Sequence, residues 1–121
     1  MRKDSHIESL KRLQHILAAI AEIQKYVLNQ TVTSFYESGV IHNAVLHQFF
    51  VIGEAINHVE DEKLEKFNYP WHKVRSFRNL IAHEYFNIKL NAVWNIIQND
   101  LPELKGIVDQ ILANEFYNGF S

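Results

Sequence analysis

The chain has 121 residues, no cysteine and a formal net charge of −2. This length fits one domain, residues 1–121, able to bury about two-thirds of its unfolded surface. Without thiols there are no disulfides, thiolate metal sites or cysteine nucleophiles; the near-neutral charge does not advertise a nucleic-acid binder; and no apolar run approaches the ~20 residues that span a bilayer.

The opening, MRKDSHIES, turns polar too soon for a secretory signal, so a soluble cytoplasmic protein is expected. Ser5 and Glu8 make a Ser-x-x-Glu capping-box pattern ahead of Ile7, Leu10, Leu13, Leu17, Ile20 and Val27. Their spacings of three, four or seven predict an amphipathic helix that ends near Asn29 and Gln30, with a narrow seam suited to a bundle. His6 and His15 are expected on its surface.

From Thr31 to Gly39 the pattern breaks. Ser34 and Glu37 repeat the capping box and Gly39 offers a left-handed stop, so one short turn of helix fits, with Tyr36 packing. From Val40 to about Val59 the helical period returns through Ile41, Val45, Phe49, Ile52, Ile56 and Val59. Gly53 lies in the middle, at a cost of about 1 kcal/mol against alanine, and close approach of another helix is the expected compensation. His42, His47 and His58 suggest a metal, but neither Glu-x-x-His nor His-Glu-x-x-His occurs in the chain. No metal and no cofactor are expected; Glu54 and His58, four apart, suit a surface pair.

Asp61 to Tyr69 is a charged connection with room for a turn of helix, and Pro70 suits a first helical position. A last helix is expected from about Leu90 to Glu115, with Val93, Trp94, Ile97, Leu101, Leu104, Val108, Ile111 and Leu112 inward, kinked or restarted at Pro102. The fold class is therefore all-α: four main helices, antiparallel because their connections are short.

The chemistry concentrates between Trp71 and Leu90, where Arg78, Asn79, His83 and Tyr85 lie close together. On a helical projection Val74, Phe77, Ile81, Ala82, Tyr85 and Phe86 share an apolar arc with Trp71, and Arg78 falls within it. A guanidinium stays charged at working pH, so a buried one needs a partner such as Glu54, or a cavity. Arg78 and His83, five apart, point about 140° from each other on a straight helix. To serve one site, either the helix ends near His83 or a second chain completes the site. The segment carries Lys73, Arg75, Arg78 and Lys89 against Glu84, whereas residues 54–66 hold five acids against two lysines. The basic segment could attract an anion, with Lys73 and Arg75 as phosphate contacts; ordinary solvated helix faces would look the same.

These groups suit RNA cleavage. His83 can take or give a proton near neutral pH, Arg78 can fork onto two phosphate oxygens, Asn79 can orient the imidazole, and Tyr85 can hydrogen-bond or stack on a base. One chain offers one such histidine; a two-fold dimer offers two.

The residues RNLIAHEYF, with Pro70 and Trp71 upstream, FVIGEAINHV before them and AVW after, resemble the HEPN superfamily, and more narrowly the HepT-type toxins of HEPN–MNT toxin–antitoxin pairs. The resemblance runs from Val40 to Leu104 with the leading helix in register, and no signature position of Arg-x4-His-x-Tyr departs from it. It implies a helical homodimer with the active site at the dimer interface, which favours the second-chain alternative. It further implies a metal-independent endoribonuclease toxin with Arg78 and His83 as catalytic pair and Asn79 in support. The implied partner is a nucleotidyltransferase antitoxin that transfers AMP to Tyr85. Two other readings stand beside it: a non-catalytic module that binds nucleotide or RNA or serves as accessory subunit of a nucleotidyltransferase, and a purely structural helical interaction protein.

Overall fold

The computed structural model describes residues 2–84 and 89–117, and the side chains of residues 4–79 and 89–117. The described residues are all-α, with no strand. In chain order they form α1 (Arg2–Val27), α2 (Val32–Glu37), α3 (Gly39–Ile56), α4 (Asp61–Leu64), α5 (Trp71–Glu84), α6 (Leu90–Asn95) and α7 (Leu101–Leu112). The four longest, α1, α3, α5 and α7, are the four expected main helices.

Their directions follow from contacts at their ends. Ser9, near the start of α1, accepts a hydrogen bond at 2.9 Å from the Glu60 N–H beyond the end of α3. His6 stacks on Phe116, just past α7, with ring centroids 4.4 Å apart. Phe77 of α5 meets Phe49 of α3, while Arg75, two residues earlier, reaches Asp61 beyond α3. Each of α3 and α7 is thus antiparallel to α1, and α5 is antiparallel to α3.

Along α1 the buried residues Ser9, Leu13, Ile16, Ile20, Ile23 and Val27 alternate four and three apart, with Ala19 buried beside Ile20. That alternation keeps one seam on its neighbours. The seam is rotated from the expected one: Ile7 is 41% exposed, and Leu10 and Leu17 only flank the core. An apolar stripe has two edges, and its period alone does not say which edge the neighbouring helices cover.

The caps also differ from expectation. α1 already runs at Arg2, so Ser5 lies inside it; Glu8 instead accepts from Arg12 Nε at 2.6 Å, and this guanidinium holds its carboxyl below the usual range. Thr31, not Ser34, caps α2: its Oγ1 accepts from the Ser34 N–H at 3.1 Å, and Ser34 Oγ accepts from the Thr31 N–H at 2.8 Å. Among the described residues the left-handed region is taken by Asn29, φ 65°, after α1, and not by Gly39. α3 stops at Ile56 because its last turn tightens, with the His58 N–H on Ala55 O and the Val59 N–H on Ile56 O.

Pro102 acts as a restart. It has no N–H for the carbonyl four residues back, and its ring crowds that turn. The chain widens into a π-helical turn, Ile96–Asp100, and α7 begins at Leu101 with Pro102 in its first turn. Trp94 is half-buried rather than fully inward, its ring 5.3 Å from that of Phe35. Among the described residues no helix is long and apolar enough to cross a membrane.

Candidate active site on helix α5

Helix α5 starts where Pro70 allows it. The Lys73 N–H donates to Pro70 O at 3.0 Å, and the Trp71 indole N–H donates to Leu64 O at 2.9 Å, fixing the helix entry against the end of α4. Trp71 and Val74 are buried. Phe77 packs edge-on against Phe49, ring centroids 5.1 Å apart at 88°.

One turn on from Val74, α5 reaches the backbone of α3. A Cβ placed on Gly53 would lie 2.5 Å from Arg78 N and 3.0 Å from Arg78 Cβ. The close approach expected from a mid-helix glycine is therefore present, and it is made to Arg78 itself. Glu54, the next residue, brings Oε2 to 2.5 Å from Arg78 Nε. This Nε is buried and makes no hydrogen bond, so its N–H is not aligned on the oxygen and the contact is ionic. Glu54 Oε1 lies 3.5 Å from His58 Nε2, the pair expected from their spacing. The Arg78 Cζ is 5.8 Å from the centre of the Phe50 ring.

Arg78 is not enclosed as its place in the apolar arc suggested. Its side chain is 42% exposed, and since Nε is buried, the exposure belongs to the rest of the group. Gly53 explains the difference: with no side chain there, the stem of Arg78 lies close on α3 and its head emerges beside Glu54 and Phe50. The guanidinium is thus tethered on one side and open on another, as an anion-binding group must be.

The remaining predicted residues separate. Asn79 and Lys73 are exposed. Arg75 gives Nη2 to Asp61 Oδ1 at 2.6 Å. The acidic stretch therefore faces the basic one: Asp61 meets Arg75 and Glu54 meets Arg78, and less positive charge is free than the sequence count suggests. His83 belongs to the helical backbone of α5, which runs to Glu84, so its position is about 140° round the axis from that of Arg78. Its side chain, and all of Tyr85, lie outside the described residues. Among the described residues no group of three or more His, Cys, Asp or Glu is placed to hold a metal ion.

A cleft of about 510 Å³ opens between the start of α5 and the turn into α7. Val74, Phe77, Leu101 and Leu104 line it with apolar surface, and Tyr69, Lys73, Ser76, Asp100 and Glu103 add polar groups. Arg78 is not among its walls.

The family described as "Ribonuclease HepT-like" matches this chain over residues 16–111. The chain belongs to the HepT-like ribonuclease family. Among similar proteins is one from Methanocaldococcus jannaschii named as a gamma-glutamylcyclotransferase and, by inference, an RNase; it is 33% identical over all of this chain and 56% of its own length. A second from the same organism, also named an RNase by inference, is 30% identical over 80% of this chain and 90% of its own. A third, from Caldanaerobacter subterraneus and named in the same way, is 30% identical over 85% and 93%. This chain thus spans little more than half of the first relative and nearly all of the other two. No solved structure matches it.

The segment matched to the HepT-like family takes in Gly53, Glu54, Arg78, Asn79, His83 and Tyr85 as well as the cleft. Two features of this HepT-like chain carry no sequence signal. Phe50 under Arg78 reads simply as one more apolar residue of α3. Asp100 and Glu103 read as the solvated side of the last helix, because only the turn forced by Pro102 brings them opposite Tyr69 and Lys73.

Proposed function

We propose that this chain is a metal-independent endoribonuclease whose site is completed across a homodimer. One observation carries the proposal: the family match spans an arginine held by a neighbouring helix yet open to solvent, with a histidine five residues on in the same helix. In the proposed reaction one His83 removes the proton from a ribose 2′-hydroxyl, whose oxygen attacks the adjacent phosphorus. The bond to the 5′-oxygen breaks, and a second histidine, the equivalent residue of the other copy, protonates that oxygen. Arg78 stabilises the charge that gathers on the phosphoryl oxygens, and Asn79, one turn before His83, orients the imidazole. The angular separation of positions 78 and 83 within one helix supports a composite site, because a second copy can supply a histidine to the face that carries Arg78.

The proposal extends to a cytoplasmic toxin, neutralised by a nucleotidyltransferase of the MNT type that transfers AMP to Tyr85. AMP there would add bulk and negative charge seven residues from Arg78 in sequence and oppose the RNA phosphate. Purified protein should cut RNA in the presence of EDTA, and Arg78→Ala or His83→Ala should abolish cleavage while leaving a folded dimer. Undiminished cleavage by both folded variants would falsify the assignment. Mass measurement after incubation with ATP and the partner should find AMP on wild-type protein and none on Tyr85→Phe.

A second function is favoured by the pairing of Arg75 with Asp61 and Arg78 with Glu54, which leaves less free positive charge for RNA. It is a module that binds RNA or nucleotide without chemistry. Saturable RNA binding by the wild type with no new fragments would establish it in place of the nuclease.

A further inference from the structure

The cleavage chemistry above leaves the cleft between α5 and α7 unused. Its floor, with Val74, Phe77 and Leu104, is apolar, and Tyr69 forms a wall with its ring 5.1 Å from that of Trp71. Lys73, Asp100 and Glu103 stand around it, all exposed. Burial pushes the Tyr69 phenol up from its ordinary range, and Glu103 and then Asp100 add to the shift, so both carboxylates act on the space that Tyr69 borders. A concave site of about 300–1,000 Å³ with an apolar lining and a few converging polar groups is the usual form of a small-ligand site.

These groups define the ligand. An apolar floor and an aromatic wall take a flat ring. The two carboxylates accept N–H donors and oppose phosphate, so the ring enters first and any phosphate stays outside. Guanine presents adjacent N–H donors at N1 and N2, and acceptors at O6 and N7 on the next edge. Adenine, cytosine and uracil each lack the paired donors. The cleft also has a direction. Ser76, which lines it, is seven residues before His83, about 10.5 Å along α5 and about 20° round its axis. The cleft therefore opens on the stripe of α5 that carries position 83.

We infer that this cleft binds the guanine base of a nucleotide, with Asp100 and Glu103 accepting from N1 and N2, Lys73 donating to the O6 and N7 edge, and Tyr69 against the ring. Its source is an RNA nucleotide flanking the scissile phosphate, which rests on the ribonuclease proposal; a free guanine nucleotide has the same chemistry.

Backbone amide shifts of the full chain, followed by NMR during titration with GMP, AMP, CMP and UMP, test the inference. GMP should shift Tyr69, Ser76 and Glu103 saturably and bind more tightly than the other three. Glu103→Gln and Asp100→Asn should each weaken GMP by roughly tenfold, the effect of replacing a charged acceptor by a neutral one. A pentamer with one guanine among uracils separates the sources: tighter binding than GMP places the site on RNA, and no gain assigns it to the free nucleotide. Absence of saturable shifts at millimolar GMP, or equal shifts from all four nucleotides, overturns the inference. The readout does not depend on cleavage. A protein that cuts RNA but ignores GMP leaves the ribonuclease standing without this site; one that binds GMP and leaves RNA whole does the reverse.

Discussion

Gly53 faces the backbone of Arg78 so closely that a methyl group added to it would lie 2.5 Å from the Arg78 amide nitrogen. The neighbour is backbone, which cannot rotate away as a side-chain tip can. In Gly53→Ala the gain in helix propensity, about 1 kcal/mol, is set against overpacking of about 1–3 kcal/mol, at its upper end here because α5 itself must move. The variant should be net destabilised by about 1–2 kcal/mol, and its melting temperature should fall by several degrees. Because the displaced element carries Arg78, RNA cleavage measured well below the melting point should fall too. A melt equal to or higher than wild type would mean that the helices are not held at this distance.

Glu54 tethers Arg78, and the tether is positional. Both side chains are more than a third exposed, so solvent screens the pair and it adds at most about 1 kcal/mol to stability. Glu54→Gln should melt within a few degrees of the wild type. With its anchor weakened, the guanidinium should wander from the phosphate, and displacements of this order cost up to about a hundredfold in rate. Cleavage rate and melting curve, taken on the same preparation, check the split. Full activity with unchanged stability would show Glu54 to be a bystander.

The contrast between Gly53 and Ser9 shows what the sequence made legible. A glycine in the middle of an apolar helical run has few physical explanations, and close helix approach is the commonest; Pro70 followed by Trp71 likewise announces a helix start. The motif around Arg78 carried the family. Side-chain polarity alone did not reveal how faces meet. Ile16 and Ile23 complete the α1 seam only because the neighbours cover that edge, and Ser9 occupies the next seam position at the bundle's end. The pairing of Asp61 with Arg75 joins segments whose charges could be counted but not placed. The cleft arises from the π-helical turn before Pro102: a proline signals a break, but not where the restarted helix points.

Ser9 is fully buried, and its Oγ accepts the Glu60 N–H at 2.9 Å, joining the first turns of α1 to the start of α4. Ser9→Ala removes that acceptor while leaving the donor in place, which costs about 1–2 kcal/mol. A lower urea midpoint and faster hydrogen exchange at the Glu60 amide are expected. An unchanged exchange rate would show that the amide does not depend on the serine.

Tyr69 predicts how stability should depend on pH. Burial, with Glu103 and Asp100 behind it, raises its phenol above the unfolded value of about 10. The folded chain then holds this proton more tightly than the unfolded chain does. The associated stability is complete below about pH 10 and is lost as pH rises through the folded pKa. Tyr69→Phe has no such proton, so between about pH 9 and 11 its urea midpoint should fall less steeply than that of the wild type. Tyr26, whose phenol is raised first by its hydrogen bond to Glu22, is present in both proteins and cancels from the comparison. Parallel curves would mean that Tyr69 ionises as freely in the folded chain as in the unfolded one, and that the carboxylates of the cleft do not act on it.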